Sequence, residues 1–360
     1  MWAERLETRD TPSGTPEEVF SLPRLDGMGD VYPTDLQPPV PTIRRPLLQE
    51  ARGRYAVGTS GGGAAQVNVY DAQTGAMLGI LNPFGRSYTG GVSVATGDVT
   101  GDGVEDVVVG AGRGMKPDVK VFDGITLREV GSFLAYSRTF YGGVTVAVGD
   151  VTGDGRADIV TGAGVGSAPH IKMFSGAETF NRAGRMLTST PTARMNFFAW
   201  DAGYRGGVNV AVGDVNRDGR ADIVVGQGSS GGSVRAFSGK DGTTLMDLKP
   251  FGDGYSGGVC VAVGDVTGDG QADVITGAMR GTAEVKVFSG KTEVAAYTAF
   301  ESQAGVRVAV QDIDSDGIKE VIAAVGSGRP SVKVLTGVTG AVKRAFPAMM
   351  PHYTSGLSVG

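Results

Sequence analysis

The chain has one cysteine, Cys260, and two histidines, His170 and His352, in 360 residues. A lone thiol excludes an internal disulfide framework, and two imidazoles leave little material for a histidine-rich metal centre or a histidine base. Neither histidine has a partner acid at motif spacing. No apolar run reaches the length of a membrane-spanning helix. No basic tract offers the footprint of a nucleic-acid binder. Helical periodicity is missing throughout. The start, Met1-Trp-Ala-Glu-Arg-Leu-Glu, carries charges where a secretory leader needs an apolar core, so no signal peptide is read there.

What the chain does have is glycine, 60 residues of it, and an acidic phrase spelled five times. The phrase reads Asp-Val-Thr-Gly-Asp-Gly-x-x-Asp at Asp98–Asp106, Asp150–Asp158 and Asp265–Asp273. It becomes Asp-Val-Asn-Arg-Asp-Gly-x-x-Asp at Asp214–Asp222 and Asp-Ile-Asp-Ser-Asp-Gly-x-x-Glu at Asp312–Glu320. Two carboxylates ~4 Å apart repel by ~4 kcal/mol at an effective dielectric of ~20, so a hard cation is the natural remedy for such a cluster. An Asp-Gly hairpin turn is the plainer alternative. Acids at positions 1, 5 and 9 of every copy favour the ion.

Calcium takes about six to eight oxygen ligands, and a loop of this spacing supplies them at alternate positions. In the first copy the expected ligands are the side chains of Asp98, Thr100, Asp102 and Asp106 and the carbonyl of Val104. The same places fall on Asp150, Thr152, Asp154, Arg156 and Asp158, then on Asp214, Asn216, Asp218, Arg220 and Asp222. They recur on Asp265, Thr267, Asp269, Gln271 and Asp273, and on Asp312, Asp314, Asp316, Ile318 and Glu320. Up to five structural Ca2+ ions are expected. The fifth loop, with an acid at position 3, is expected to bind tightest, and the three with threonine there more weakly. Magnesium, which demands a strict octahedron and keeps its waters, suits the loops less. An EF-hand is excluded, because loop position 12 is Val109 in the first copy and Ala323 in the fifth.

The phrase sits in a longer unit. One copy runs Gly142-Gly-Val-Thr-Val-Ala-Val-Gly, the acidic loop, Ala157-Asp-Ile-Val-Thr-Gly-Ala-Gly, His170-Ile-Lys-Met-Phe-Ser-Gly and Asn196-Phe-Phe-Ala-Trp. These are short runs rich in valine and aromatics, bounded by Gly or Asp, which is how strands read. Four strands per unit, at a period of about 50 residues, describe a β-propeller blade. Residues 179–195 lengthen one unit and are expected to extend its third–fourth hairpin. Arg54-Tyr-Ala-Val-Gly and Gln66-Val-Asn-Val-Tyr match second and third strands with no first strand before them. The missing strand stands at the other end, as Ser355-Gly-Leu-Ser-Val-Gly. The fold class is therefore all-β, a six-bladed propeller over residues 54–360, closed by the C-terminal strand completing the first blade. Residues 1–53 hold half of the 16 prolines and none of the repeat, and read as an arm or linker.

These motifs, Gly-Asp-Val-Thr-Gly-Asp-Gly-x-x-Asp followed by Val-Val-Val-Gly-Ala-Gly and Val-Lys-Val-Phe-Asp-Gly, resemble those of bacterial FG-GAP/VCBS-type repeat proteins, relatives of the integrin α-subunit head. The likeness covers about residues 54–360. It implies a secreted or surface-exposed propeller, with calcium held between a blade's first two strands and a role in adhesion, recognition or scaffolding. Threonine at position 3 departs from the commoner Asn or Asp.

No catalytic residue is assigned. Gly58-Thr-Ser-Gly-Gly and Gly228-Ser-Ser-Gly-Gly fit a nucleophile-elbow pattern, and Gly226-Gln-Gly-Ser-Ser-Gly fits a phosphate loop, but strands rather than helices follow. Aromatics recur before the Gly-Gly of the inter-blade loops: Tyr88, Tyr141, Tyr204 and Tyr255, with Tyr353 near the end and Trp200 beside one of them. They either form a ligand face for sugar or peptide or pack between blades. Lys120, Lys172, Arg235, Lys286 and Lys333 recur in third strands, where pairing with acids of neighbouring blades is expected. The expected function is a non-catalytic, calcium-stabilised extracellular binding, adhesion or scaffold module with a protein or glycan partner. The alternative is a propeller lyase or hydrolase acting on polysaccharide.

Overall fold

A computed structural model describes residues 53–181, 183–350 and 352–360 of the chain. The expected arm, residues 1–53, lies outside the described residues but for Gly53. The described chain forms six four-stranded antiparallel sheets. The first holds β1 (Arg54–Thr59), β2 (Val67–Asp71) and β3 (Met77–Leu81). The second is β4 (Val92–Gly97), β5 (Asp106–Ala111), β6 (Asp118–Phe122) and β7 (Glu129–Leu134). The third is β8 (Val144–Gly149), β9 (Asp158–Ala163), β10 (His170–Phe174) and β11 (Met195–Phe198). The fourth is β12 (Val208–Gly213), β13 (Asp222–Gln227), β14 (Val234–Phe237) and β15 (Thr244–Leu248). The fifth is β16 (Val259–Gly264), β17 (Asp273–Ala278), β18 (Ala283–Ser289) and β19 (Thr292–Phe300). The sixth is β20 (Val306–Gln311), β21 (Glu320–Val325), β22 (Ser331–Leu335) and β23 (Val342–Pro347). Finally β24 (Leu357–Val359) joins the first sheet, in the order β24-β1-β2-β3.

The valine-rich second strands are buried along their whole length in five blades, because sheets cover both their faces. First strands of adjacent blades pack against one another around the axis, and β24 fills the gap between β20 and β4. Ring closure is therefore a matter of three pairs, Val57↔Val359, Gly58↔Ser358 and Thr59↔Leu357, with the Ala56 amide donating to the Gly360 carbonyl. Each innermost strand still ends its sheet, and the ring protects that edge by turning it toward the axis.

Two details depart from the expected pattern. The insertion after β10 does lengthen the third–fourth hairpin, but it contains one turn of helix, α1 (Gly176–Thr179), and an isolated bridge between Phe180 and Met186. Phe180 is fully buried there and fills core beside Phe174. The third-strand cations find their acids on their own blade: Lys120 with Glu129, Arg235 with Asp247, Lys286 with Glu293. What the preceding blade offers is a ring face and a carbonyl. Lys172 lies over Tyr136 and donates to the Ala135 carbonyl, Arg235 over Trp200 to Ala199, and Lys333 over Phe300 to Ala299. A cation over a ring face contributes about 0.5–1 kcal/mol when exposed and more when desolvated.

Two substitutions separate closure from local strain. Leu357→Ala, at a fully buried site, is expected to lower unfolding free energy by about 2–5 kcal/mol. Gly103→Ala is expected to lower it by about 1–2 kcal/mol, since φ there is +87° and open space surrounds the added methyl. Denaturant unfolding of the two variants checks both values.

Candidate functional site

Each acidic phrase forms the hairpin between the first and second strands of a blade. Position 1 organises the loop from inside. Asp98 Oδ1 accepts the amides of Gly101 and Asp102 at 2.6 and 3.1 Å, and Oδ2 accepts that of Gly103 at 2.8 Å. Asp150, Asp214, Asp265 and Asp312 hold the equivalent amides. Position 5 accepts the amide of position 7, as Asp154 does from Arg156 at 3.0 Å. The turn needs two left-handed residues, at positions 4 and 6. Glycine fills both in three copies, while Arg217 and Ser315 take position 4 at φ 62° in the others.

Position 9 is the buried member. Asp106, Asp158, Asp222 and Asp273 are wholly buried and Glu320 nearly so. Asp106 Oδ2 accepts the amides of Val99 and Thr100, and Oδ1 accepts that of Gly124 in the turn between third and fourth strands. Asp158 and Asp222 repeat this with Gly176 and Gly239. One carboxylate thereby ties both hairpins of a blade together. In the fifth blade β18 runs on to Ser289, and Asp273 Oδ1 is left buried without a hydrogen-bond partner. Burial pushes the Asp106 carboxyl up to about 7 and that of Asp222 to about 6, and raises those of Asp158 and Asp273 in the same direction.

Neighbouring loops are stitched together through positions 7 and 8. Arg156 donates to the Val99 carbonyl at 2.8 Å and Gln271 to that of Val215 at 2.7 Å. The amides of Ala157, Ala221 and Lys319 donate to the position-1 carbonyls of the preceding loops. The side chains expected only to carry a ligand carbonyl, Arg156, Arg220 and Ile318, lie over Gly101, Gly153 and Gly268 of the loop before them. Glycine at position 4 therefore also makes room for a neighbour.

The fifth loop carries an acid at position 3. Asp312, Asp314 and Glu320 bring carboxylate oxygens within 4.8 Å of one another, the one such trio of carboxylate, imidazole or thiol ligands among the described residues. Yet Lys343 of β23 reaches in, with Nζ 2.8 Å from Asp314 Oδ2 and also bonded to Glu320 Oε1. An ammonium stands where a metal would compete. The two acids in turn raise the Lys343 pKa, Asp314 foremost. A signal for this exists in the repeat. Strand register aligns Lys343 with Leu78, Val130, Leu245 and Val294, so a charge replaces an apolar residue here, as Arg194 does in the third blade.

The recurring tyrosines are engaged with the fold. The hydroxyls of Tyr88, Tyr204, Tyr255 and Tyr353 donate to the carbonyls of Arg113, Ser229, Arg280 and Gly61, each in the second–third strand loop of the next blade. Trp200 packs beside Tyr204 and beneath Arg235. Tyr141 stands one residue out of register and is 51% exposed, while Phe140 takes the packing place against Gly142. Counting back from the second glycine of each pair, rather than matching residue type, would have found Phe140. His170 lies between the rings of Tyr136 and Phe198 and bonds to Asn196.

Comparison with known proteins agrees with this geometry. The FG-GAP repeat family matches residues 90–125, 142–177 and 258–300, and the FG-GAP-like repeat family matches residues 214–276. Integrin alpha pat-2 of Caenorhabditis elegans is 31% identical over 246 residues, covering 59% of this chain and 20% of that protein. Integrin alpha-8 of Gallus gallus is 32% identical over 167 residues, covering 41% of this chain and 15% of its own length. Human integrin alpha-8 is 28% identical over 178 residues, covering 44% and 16%. The chain thus spans about a fifth or less of the length of these relatives.

Lys343→Met tests the role of the ammonium. Without added divalent ions the variant is expected to be less stable by about 1–3 kcal/mol, because a buried carboxylate oxygen loses its partner. With calcium it is expected to recover, and calorimetric titration should show one site at least about tenfold tighter than in the unmodified chain. Unchanged site affinities overturn the competition.

Proposed function

The chain is an FG-GAP β-propeller, and from that premise we propose that it is a calcium-stabilised recognition module acting in adhesion outside the cell or on its surface. The acidic hairpins carry this reading. Their donor set is all oxygen, their position-9 carboxylates are desolvated, and Asp273 keeps an orphaned buried oxygen. Hard oxygen donors around buried negative charge suit a divalent ion. The ion would be held in the first four loops by the acids at positions 1, 5 and 9, the Thr100, Thr152, Asn216 or Thr267 oxygen, and the position-7 carbonyl. When bound it would neutralise charge that burial makes unfavourable and tie the two strands of each hairpin. The fifth loop, with Lys343 among its acids, would bind more weakly.

The role in adhesion is supported by the likeness to integrin alpha chains and by a repeat scaffold that presents loops on two opposite faces. A protein or glycan is the proposed partner. Tyr141, the exposed tyrosine of the inter-blade loops, is available to it, whereas the bonded tyrosines serve the ring.

Binding to folded loops alone stabilises by mass action, about 2.7 kcal/mol per site at roughly a hundredfold excess over Kd. The melting temperature is therefore expected to rise with calcium and fall with chelator, and a curve that moves with neither sinks the metal assignment. Asp154→Asn, at an exposed position-5 acid, is expected to shrink the calcium-dependent gain and leave the chelated melting temperature nearly unchanged. Immobilised glycans and extracellular-matrix proteins, probed with and without calcium, test the partner class. Calcium-dependent retention supports adhesion, and retention of none of them counts against it.

A further inference from the structure

The first strands leave a channel along the propeller axis. On the face opposite the acidic hairpins it opens into a cavity of about 590 Å3, within the usual size of small-molecule sites. One level of its wall takes one residue from each innermost strand, and Arg307 of β20 is the charged member of that ring. Arg113 and Arg280, from second–third strand loops, line the same cavity. No aspartate or glutamate lines it. Among the described residues, none of these three arginines has a carboxylate within ion-pair distance. The other end of the channel carries both signs, Glu105 and Lys319.

Arg307 is held rather than satisfied. It donates through Nη1 alone, to the carbonyls of Met279 and Val306, both at 3.4 Å. Burial lowers its pKa and Arg280 lowers it further. Of the polar neighbours on the wall, Ser93 accepts the Val146 amide, Thr145 donates to the Val208 carbonyl and Asn209 to that of Val259, while Ser358 Oγ has no hydrogen-bond partner. The first three make a rigid rim, and the charge of the site belongs to the guanidinium groups. In a chain of net charge -5, three arginines with no counter-charge at one concave mouth are a local exception. A guanidinium offers paired donors to a planar oxyanion, and a partly desolvated one gains most from it.

We propose that this mouth binds a small oxyanion-bearing ligand, with Arg307 as the fixed anchor on the channel wall and Arg113 and Arg280 reaching in from the loops above. The site names a ligand chemistry for the recognition module and rests on that reading only for its biological role. It lies at the strand ends away from the acidic hairpins, so it requires no metal.

Calorimetric titration of the full chain in calcium, with glucuronate, acetate, sulfate and neutral glucose, tests it. The charged probes are expected to bind at millimolar or tighter affinity and glucose not to bind, with affinity falling as salt rises. Arg307→Gln is expected to weaken binding at least about tenfold. A preference for glucuronate and acetate over sulfate assigns a carboxylate ligand, and equal response assigns any oxyanion. No binding by any charged probe, equal binding of glucose, or full affinity in a normally folded Arg307→Gln overturns the proposal. If that variant does not fold, the double variant Arg113→Gln/Arg280→Gln decides, and unchanged affinity overturns it. Failure of anion binding beside an intact calcium-dependent melt would leave the module reading standing. Loss of the calcium response with anion binding retained would do the reverse.

Discussion

A buried carboxylate at the ninth position of each acidic hairpin is the constraint on which the blades depend. It accepts amides from its own hairpin and, in three blades, from the turn between third and fourth strands. A charge taken out of water is tolerable only when hydrogen bonds and opposite charge surround it. The amides supply the first. In the fifth loop a lysine from its own outer strand supplies the second.

Blade contacts follow a comparable economy of parts. The cation of a third strand crosses to the blade before it, capping a carbonyl and covering the aromatic that ends that blade. The tyrosine of an inter-blade loop reaches forward to the next blade's backbone. Contacts thus run in both directions around the ring, and each is local to two neighbours, as expected of a repeat architecture. Aromatics that looked available to a ligand are used in this way, which leaves the axial mouth, rather than a tyrosine girdle, as the most chemically distinct surface.

Much of the fold was legible because its causes are local and periodic. Strand length, the Gly and Asp boundaries and the acidic phrase repeat in register, and a split first blade has its complement at the far terminus. The site was legible only in part. Repetition marks what is common to the blades, so it identified the loops. It hid what differs between them: Lys343, which replaces Leu78, Val130, Leu245 and Val294, and Phe140, which replaces a tyrosine. The insertion at 179–195 was visible as extra length, but not as the helical turn that delivers Phe180 to the core.

From sequence alone followed the six four-stranded sheets, the closure by Leu357–Val359 and the clustering of acids at hairpin tips, because valine alternation, turn glycines and charge spacing act over a few residues. Tertiary structure decided which charges meet. Glu320 and Lys343 are 23 residues apart in sequence, and Arg113, Arg280 and Arg307 come from three blades. The first pairing is fixed by strand order within one blade and the second grouping by closure of the ring, and no local pattern encodes either.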